Sequence, residues 1–341
     1  APGSDYRMRV FYFTGTVSAG GAPLAGAHVV ATAVRGSALA SAYTDAAGAY
    51  HIAGLASGGY YVVATKPRQW AGMLHPALLC PDPNCDPTEG TPVHVVEGQT
   101  TPGIDFDLPA AGGIAGTIQS SQGGWGLPGS GARLYTLTGR FLGFATGYGS
   151  GRYSFSGVAP GEYALVAVEY DRQPQLYGGV PCPRDPSSCP FASATPVVVR
   201  AGETRDSVDF LLDRYGSVSG RVVDGMTGQP AAGATVSIGT SGVSADSDGT
   251  YRVSLAPGGY IVSAQASGYS HSSPRTVTAW LNQDVTGIDI ALYRPDGVVR
   301  GRVTDAVTGL PLYGARVHIE SAGATQRSGE GGSQVGASAD R

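Results

Sequence analysis

The sequence predicts an all-β protein: a tandem array of seven-stranded antiparallel β-sandwiches, the last of them incomplete. Three observations predict it. One hairpin is written three times, as AAGAYHIAGLASGGYYVVATKP from Ala46, GSGRYSFSGVAPGEYALVAVEY from Gly149 and SDGTYRVSLAPGGYIVSAQASGY from Ser247. Apolar residues alternate with a period of about 2 rather than 3.6. Gly occurs 53 times and Pro 23 times in 341 residues, so turns are frequent and long helices disfavoured.

The hairpin belongs to a longer repeat. Four segments share P-x-x-G-A-x-apolar: PLAGAHV from Pro23, PGSGARL from Pro128, PAAGATV from Pro230 and PLYGARV from Pro311. Each follows a short strand that opens alike, with GTV at Gly15, GTI at Gly116, GRV at Gly220 and GRV at Gly301. These glycines are 101, 104 and 81 residues apart. A unit of that length is a whole domain rather than a solenoid repeat. The predicted division is a strand or linker from a preceding segment over 1–12, sandwiches over 13–110, 111–214 and 215–294, and a partial sandwich over 295–341.

In the third unit the alternation predicts strands at 217–224, 234–240, 241–246, 251–255, 260–265, 275–281 and 287–292. The last, GIDIAL, puts Ile288, Ile290 and Leu292 on one face, and the earlier units close with GIDFDL at 103–108 and SVDFLL at 207–212. Short strands separated by Gly, Pro, Asp and Ser turns point to a sandwich. In the hairpin, Asp248-Gly249 supplies a turn because Gly reaches positive φ without a Cβ clash. Pro257-Gly258 suits the central positions of a type II turn. Tyr260 follows, as Tyr60 and Tyr163 do in the other copies. Each is expected to pack its ring in the core while its hydroxyl ties nearby backbone.

The order G-x-V, P-x-x-G-A-x-V, T-D-x-x-G-x-Y, P-G-x-Y resembles the carboxypeptidase regulatory-like domain family. The first unit carries it as Thr44-Asp45-Ala46-Ala47-Gly48-Ala49-Tyr50, and the third as Ala245-Asp246-Ser247-Asp248-Gly249-Thr250-Tyr251. The second departs from it, with Thr146-Gly147-Tyr148-Gly149-Ser150-Gly151-Arg152-Tyr153 and no Asp. The resemblance implies a transthyretin-like sandwich that serves as a non-catalytic module of secreted or surface proteins. Similar Cna B-type domains carry an isopeptide staple that needs Lys. Lys66 is the sole lysine and falls at a strand end, so no staple is expected.

Cysteines come in two local pairs, Cys80 with Cys85 and Cys182 with Cys189, in Pro-rich loops late in the first two units. Cys80 and Cys182 are 102 residues apart, close to the repeat offset, so the loops are equivalent insertions. Two disulfides and an oxidising compartment are the expectation. A four-thiolate zinc site is the alternative, although the spacing is not that of a zinc ribbon.

The 22 basic residues, 21 of them Arg, are scattered among 26 acidic ones, so no basic stripe suggests nucleic acid. That skew to Arg, with abundant Ala and Gly, suggests a bacterial source. No apolar run is long enough to span a membrane. The sequence contains no nucleophile elbow, H-E-x-x-H helix or Walker loop, and no catalytic residue, metal site or cofactor is predicted. His28, His51, His94 and His318 fall in strand patterns. Asp246-Ser247-Asp248-Gly249 faintly resembles the start of a calcium loop, but the chain then enters a strand instead of supplying further oxygen ligands.

Two functions fit. The first is an extracellular, periplasmic or cell-surface stalk, spacer or adhesive module, meeting surface glycans or proteins. Short Pro-containing links such as Leu108-Pro-Ala-Ala-Gly-Gly113 favour a semi-rigid array. The second is a carbohydrate-binding accessory region of a larger secreted hydrolase or peptidase, for which Trp70, Trp125, Tyr148 and Tyr177 are the candidate stacking aromatics. The fourth unit stops before its second hairpin, and residues after about Ser321 are expected to pair with nothing in the first three units.

Overall fold

The computed structural model describes residues 12–35, 39–80, 86–96, 99–295, 301–312, 315–317 and 337–338. Each of the first three units is built from two sheets. In the second unit, Gly112–Ser120 pairs antiparallel with Arg152–Val158 in one sheet. The other sheet runs in the order Phe141–Thr146, Gly131–Thr136, Gly161–Val168, Gln175–Leu176 and Val180–Pro181, and Val197–Val199 also pairs with Gly161–Val168. The first unit repeats this with Tyr12–Ala19 and Ala49–Ala53 against the sheet around His28–Ala33 and Gly58–Lys66. The third repeats it with Gly216–Asp224 and Thr250–Leu255 against Ser241–Ser244, Thr235–Ile238, Gly258–Gln265 and Arg275–Ala279.

The sandwiches are not wholly antiparallel. The opening strand pairs in parallel with the unit's closing strand: Val17 with Phe106, Ile118 with Phe210, and Val222 with Ile290. The chain crosses from the second sheet back to the first before it closes, so it arrives in the direction it began. The closing strand is also interrupted, as Thr204–Arg205 then Phe210–Leu212, and as Asp284–Val285 then Ile290–Leu292.

Between the sheets lie three separate cores. Phe13, Val17, Val29, Ile52, Val62 and Leu108 anchor the first; Ile114, Ile118, Leu165, Val208 and Leu212 the second; Val218, Val222, Val236, Ile238 and Leu292 the third. Each such side chain, fully buried, contributes about 1.5–3 kcal/mol.

The repeated motifs now have physical roles. Tyr50, Tyr153 and Tyr251 send their hydroxyls to the carbonyls of Ile104, Val208 and Ile288, at 2.7, 2.5 and 2.6 Å. Those carbonyls lie over Gly15, Gly116 and Gly220, where a Cβ would stand 2.0–2.1 Å from the oxygen. The following Asp closes the arrangement: Asp105, Asp209 and Asp289 accept from the backbone N–H of Thr16, Thr117 and Arg221. The G-x-V and G-I-D signatures are therefore two halves of one joint.

The second hairpin corner differs from the expected type II turn. Gly258 has φ 157° and already belongs to a strand. The Ala256 carbonyl accepts from the Tyr260 hydroxyl at 2.9 Å, and Tyr163 bonds Ala159 in the same way at 2.8 Å. The tyrosine hydroxyl takes the carbonyl that a turn amide would have used.

The fourth unit opens as the third does. Asp305 accepts from Val307 N and Thr308 N, as Asp224 does from Met226 N and Thr227 N. Arg316–Val317 pairs with Ala337–Ser338. Residues 1–11 and most of those after Ser321, with His318, lie outside the described residues.

Candidate functional site

The cysteine loops are the largest departure from the bare sandwich. Cys182 and Cys189 are joined, with Cα atoms 4.8 Å apart. Cys80 is also in a disulfide; its predicted partner Cys85 lies outside the described residues. Both loops then use the same device: Asp86 caps Pro87–Glu89 through Thr88 N, and Asp185 caps Pro186–Ser188 through Ser187 N. With the Cys182 and Cys189 sulfurs bonded to each other, no four-thiolate zinc set remains.

The loop covers the outer face of the second sheet. Tyr135, Ala164, Val166 and Leu176 point away from the main core and pack against Cys182, Cys189 and Phe191. The first unit does this in smaller form with Val63, Leu74 and Cys80. The third unit has no insertion, and the equivalent face is open. Ser263 stands where Val166 does, and Ile261, at the position of the buried Ala164, is 61% exposed.

Two of the four candidate aromatics are packed and two are exposed on neighbouring turns. Trp70 packs against the first core and bridges Ala110. Tyr177 lies half-buried, edge-on to Phe210 at 5.9 Å. Trp125 and Tyr148 are exposed. Among the described residues no ring contact joins any two of the four. Lys66 Nζ donates to the Ala25 carbonyl. His28, His51 and His94 lie in strands; His28 stacks on Tyr43 and His51 meets Tyr12 edge-on, each at 4.6 Å. Asp248 is committed to its own turn through Thr250 N and Oγ1. Among the described residues no group of three His, Cys, Asp or Glu is placed to hold a metal ion.

Of the clefts along the second unit, two differ in size and lining. The wider, of about 890 Å³, is lined by Phe144, Tyr148, Arg152, Asp206 and Asp209, and Asp209 Oδ1 is already engaged by Thr117. The narrower, of about 310 Å³, gathers Arg133, Arg172 and Arg184 beside Tyr215. Sequence reasoning missed this group. Its three arginines lie on separate elements spread over 51 residues, among 21 in the chain, and no local pattern links them.

The links between units are themselves hydrogen-bonded. Trp70 bridges Ala110, and Arg172 bridges Arg214 at the equivalent place one unit later. Ala71 N donates to Pro109 O at 2.9 Å and Ala111 N to Gln69 O at 2.9 Å. Gln173 N donates to Asp213 O at 2.9 Å and Tyr215 N to Asp171 O at 3.0 Å. Asn282 extends the second joint, accepting from Arg214 N at 2.9 Å and donating to Asp213 Oδ1 at 2.7 Å.

Comparison with known proteins gives a family and several similar solved structures. The model of the carboxypeptidase regulatory-like domain matches residues 13–109 and 217–293, which together make up half of the chain. The second unit, which lacks the motif Asp, falls between the matches. No curated protein matches the chain. Among solved structures, a streptococcal ancillary pilin is similar at 14% identity, covering 84% of this chain and 100% of that one, with a TM-score of 0.35. BcpA, the major pilin subunit of Bacillus cereus, is similar at 11% identity over 83% of this chain and 99% of its own, TM-score 0.21. The Bacillus anthracis TIE protein is similar at 13% identity over 83% of this chain, TM-score 0.28, and this chain spans about half, 51%, of its length.

Proposed function

The chain belongs to the carboxypeptidase regulatory-like domain family, and from that premise we propose that it is a non-catalytic, modular protein acting outside the cytoplasm as a stalk, spacer or adhesive array. The proposed modules are 13–110, 111–214 and 215–294, with a partial one over 295–341. The hydrogen-bonded links carry the reading. Backbone bridges at Trp70–Ala110 and Arg172–Arg214 tie each link to the unit before it, and Asn282 ties the second link to the unit after it. Such joints limit swing between modules, as a spacer requires. The Cys182–Cys189 bond fits an oxidising compartment. The packing of Trp70 and Tyr177 against their cores favours the spacer over a four-ring stacking platform for neutral glycans.

Small-angle scattering of the purified chain tests the first part: one elongated, concentration-independent particle is expected, and a flexible string of independent beads overturns it. Incubation with polysaccharide and peptide panels is expected to yield no turnover; robust hydrolysis refutes the non-catalytic reading. Peptide mapping without reduction is expected to return Cys80 with Cys85 and Cys182 with Cys189. Free thiols, or a bridge between the pairs, would remove the argument for an oxidising compartment.

A further inference from the structure

We propose that the cleft formed by Arg133, Arg172, Arg184 and Tyr215 is a binding site for an acidic saccharide, one bearing a carboxylate or sulfate. The cleft, of about 310 Å³, lies where the cysteine loop of the second unit meets the link to the third. Arg133 comes from the strand Gly131–Thr136, Arg172 from the turn after Gly161–Val168, and Arg184 from inside the Cys182–Cys189 loop. Tyr215 opens the third unit.

Two observations single this cleft out from the wider one. Among the described residues, the hydroxyl of Tyr215, which is 1% exposed, has no hydrogen-bond partner, and Arg133 Nε is likewise buried and unpartnered. Buried polar groups are almost always bonded, so two unmet donors on residues that line one cleft point to a ligand that meets them. Burial raises the Tyr215 pKa, so the hydroxyl remains a neutral donor in neutral solution. The Arg184 guanidinium lies over the Tyr215 ring, 5.3 Å from its centre, and no ion pair holds Arg184 or Arg133 among the described residues.

Nearby carboxylates offset part of this charge: Glu169 lines the cleft beside Arg172, and Asp185 feels the charge of Arg133. Glu169 Oε2 accepts from Asp171 N at 3.0 Å and lies 3.7 Å from Arg172 Nε. Asp185 caps its own turn through Ser187 N and Oγ. Arg172 Nη1 donates to Ser120 Oγ and to the Leu212 carbonyl, which holds the guanidinium in place and leaves the forks of Arg133 and Arg184 to meet the ligand. Planar guanidinium forks match carboxylate and sulfate oxygens.

What makes the ligand a sugar is the rim. Tyr170 is 90% exposed and Phe144 52% exposed, and both line the cleft. An exposed aromatic face beside an anion site suits a pyranose ring that carries its charge on one edge. An acidic peptide would use the arginines without the rings.

The inference rests on the adhesive form of the proposed function, and its test is independent of the scattering result. The 341-residue chain is titrated by calorimetry with oligogalacturonate, heparin oligosaccharide, neutral cello-oligosaccharide and poly-glutamate. Oligogalacturonate or heparin is expected to bind: binding of oligogalacturonate identifies carboxylate as sufficient, and binding of heparin, which carries both groups, without oligogalacturonate identifies a need for sulfate. R184Q, in an exposed loop, and R133Q are each expected to weaken binding about tenfold. Y215F weakens it less and does not lower the melting temperature. Failure of both acidic saccharides to bind, equal affinity for poly-glutamate, or unchanged affinity in R184Q and R133Q overturns the site.

Discussion

The Tyr153 hydroxyl donates to the carbonyl of Val208 at 2.5 Å, and that carbonyl sits where a Cβ on Gly116 would stand 2.0 Å away. The bond joins the hairpin to the closing strand across 55 residues. Gly116→Ala is expected to cost the second sandwich about 3 kcal/mol or more, because backbone would have to move. Tyr153→Phe keeps the ring and loses one bond to a buried carbonyl, for about 1–2 kcal/mol. Urea unfolding followed by circular dichroism separates the two. Equal, small effects would show that the joint is ornamental.

Ser207 holds φ 60° where the flanking units place Gly103 and Gly287 at 78° and 75°. A side chain in the left-handed region carries a cost of about 1–2 kcal/mol, partly offset by the greater freedom of Gly in the unfolded chain. Ser207→Gly is therefore expected to stabilise the second unit by up to about 1 kcal/mol. A lower urea midpoint in the variant would contradict this.

Asn282 also has positive φ, at 61°. Asn282→Gly keeps that backbone and deletes the bonds to Arg214 N and Asp213 Oδ1. Limited trypsin digestion after Arg214 is expected to quicken several-fold, without loss of either neighbouring sandwich. An unchanged cleavage rate would mean that the backbone bridges alone hold the joint.

The sequence displayed the units, the hairpins and the closing strands because each rests on local chemistry: a Gly for a turn, alternation for a face, a Tyr after a corner. It did not display partners. Tyr153 looks like any strand tyrosine until Val208 arrives over Gly116. The parallel entry of Phe210 beside Ile118 depends on how the chain crosses between sheets, which no short pattern encodes. The purpose of the cysteine loop was half legible. The Cys182–Cys189 pair could be read, but the outer face at Ala164 and Val166 that it covers emerges only once that sheet has formed. Arg133, Arg172 and Arg184 converge through three different elements, so nothing in their spacing announces the cleft.

The last prediction concerns acid. Asp224 is buried and accepts from Tyr269 Oη at 2.8 Å, Thr227 N at 3.0 Å and Met226 N at 2.9 Å, with Arg294 Nε at 3.3 Å. The Tyr269 hydroxyl first, then the Thr227 and Met226 amides, hold its carboxyl well below the usual carboxylate range. A folded-state pKa below the unfolded value of about 4 means that folding favours the charged form. The stabilisation is full above that value and shrinks as pH falls beneath it, because protons then bind the unfolded chain more readily. Asp224→Asn should be less protected than the parent at pH 7, and the gap should narrow by pH 3. Hydrogen exchange in Gly216–Asp224, corrected for intrinsic rates at each pH, reads this locally. Asp248, Asp284 and Asp305 are depressed in the same direction and remain in the variant, so the parent–variant difference, not the slope of either protein, is the test. A gap that stays constant or widens on acidification would show that Asp224 acts here through shape rather than charge.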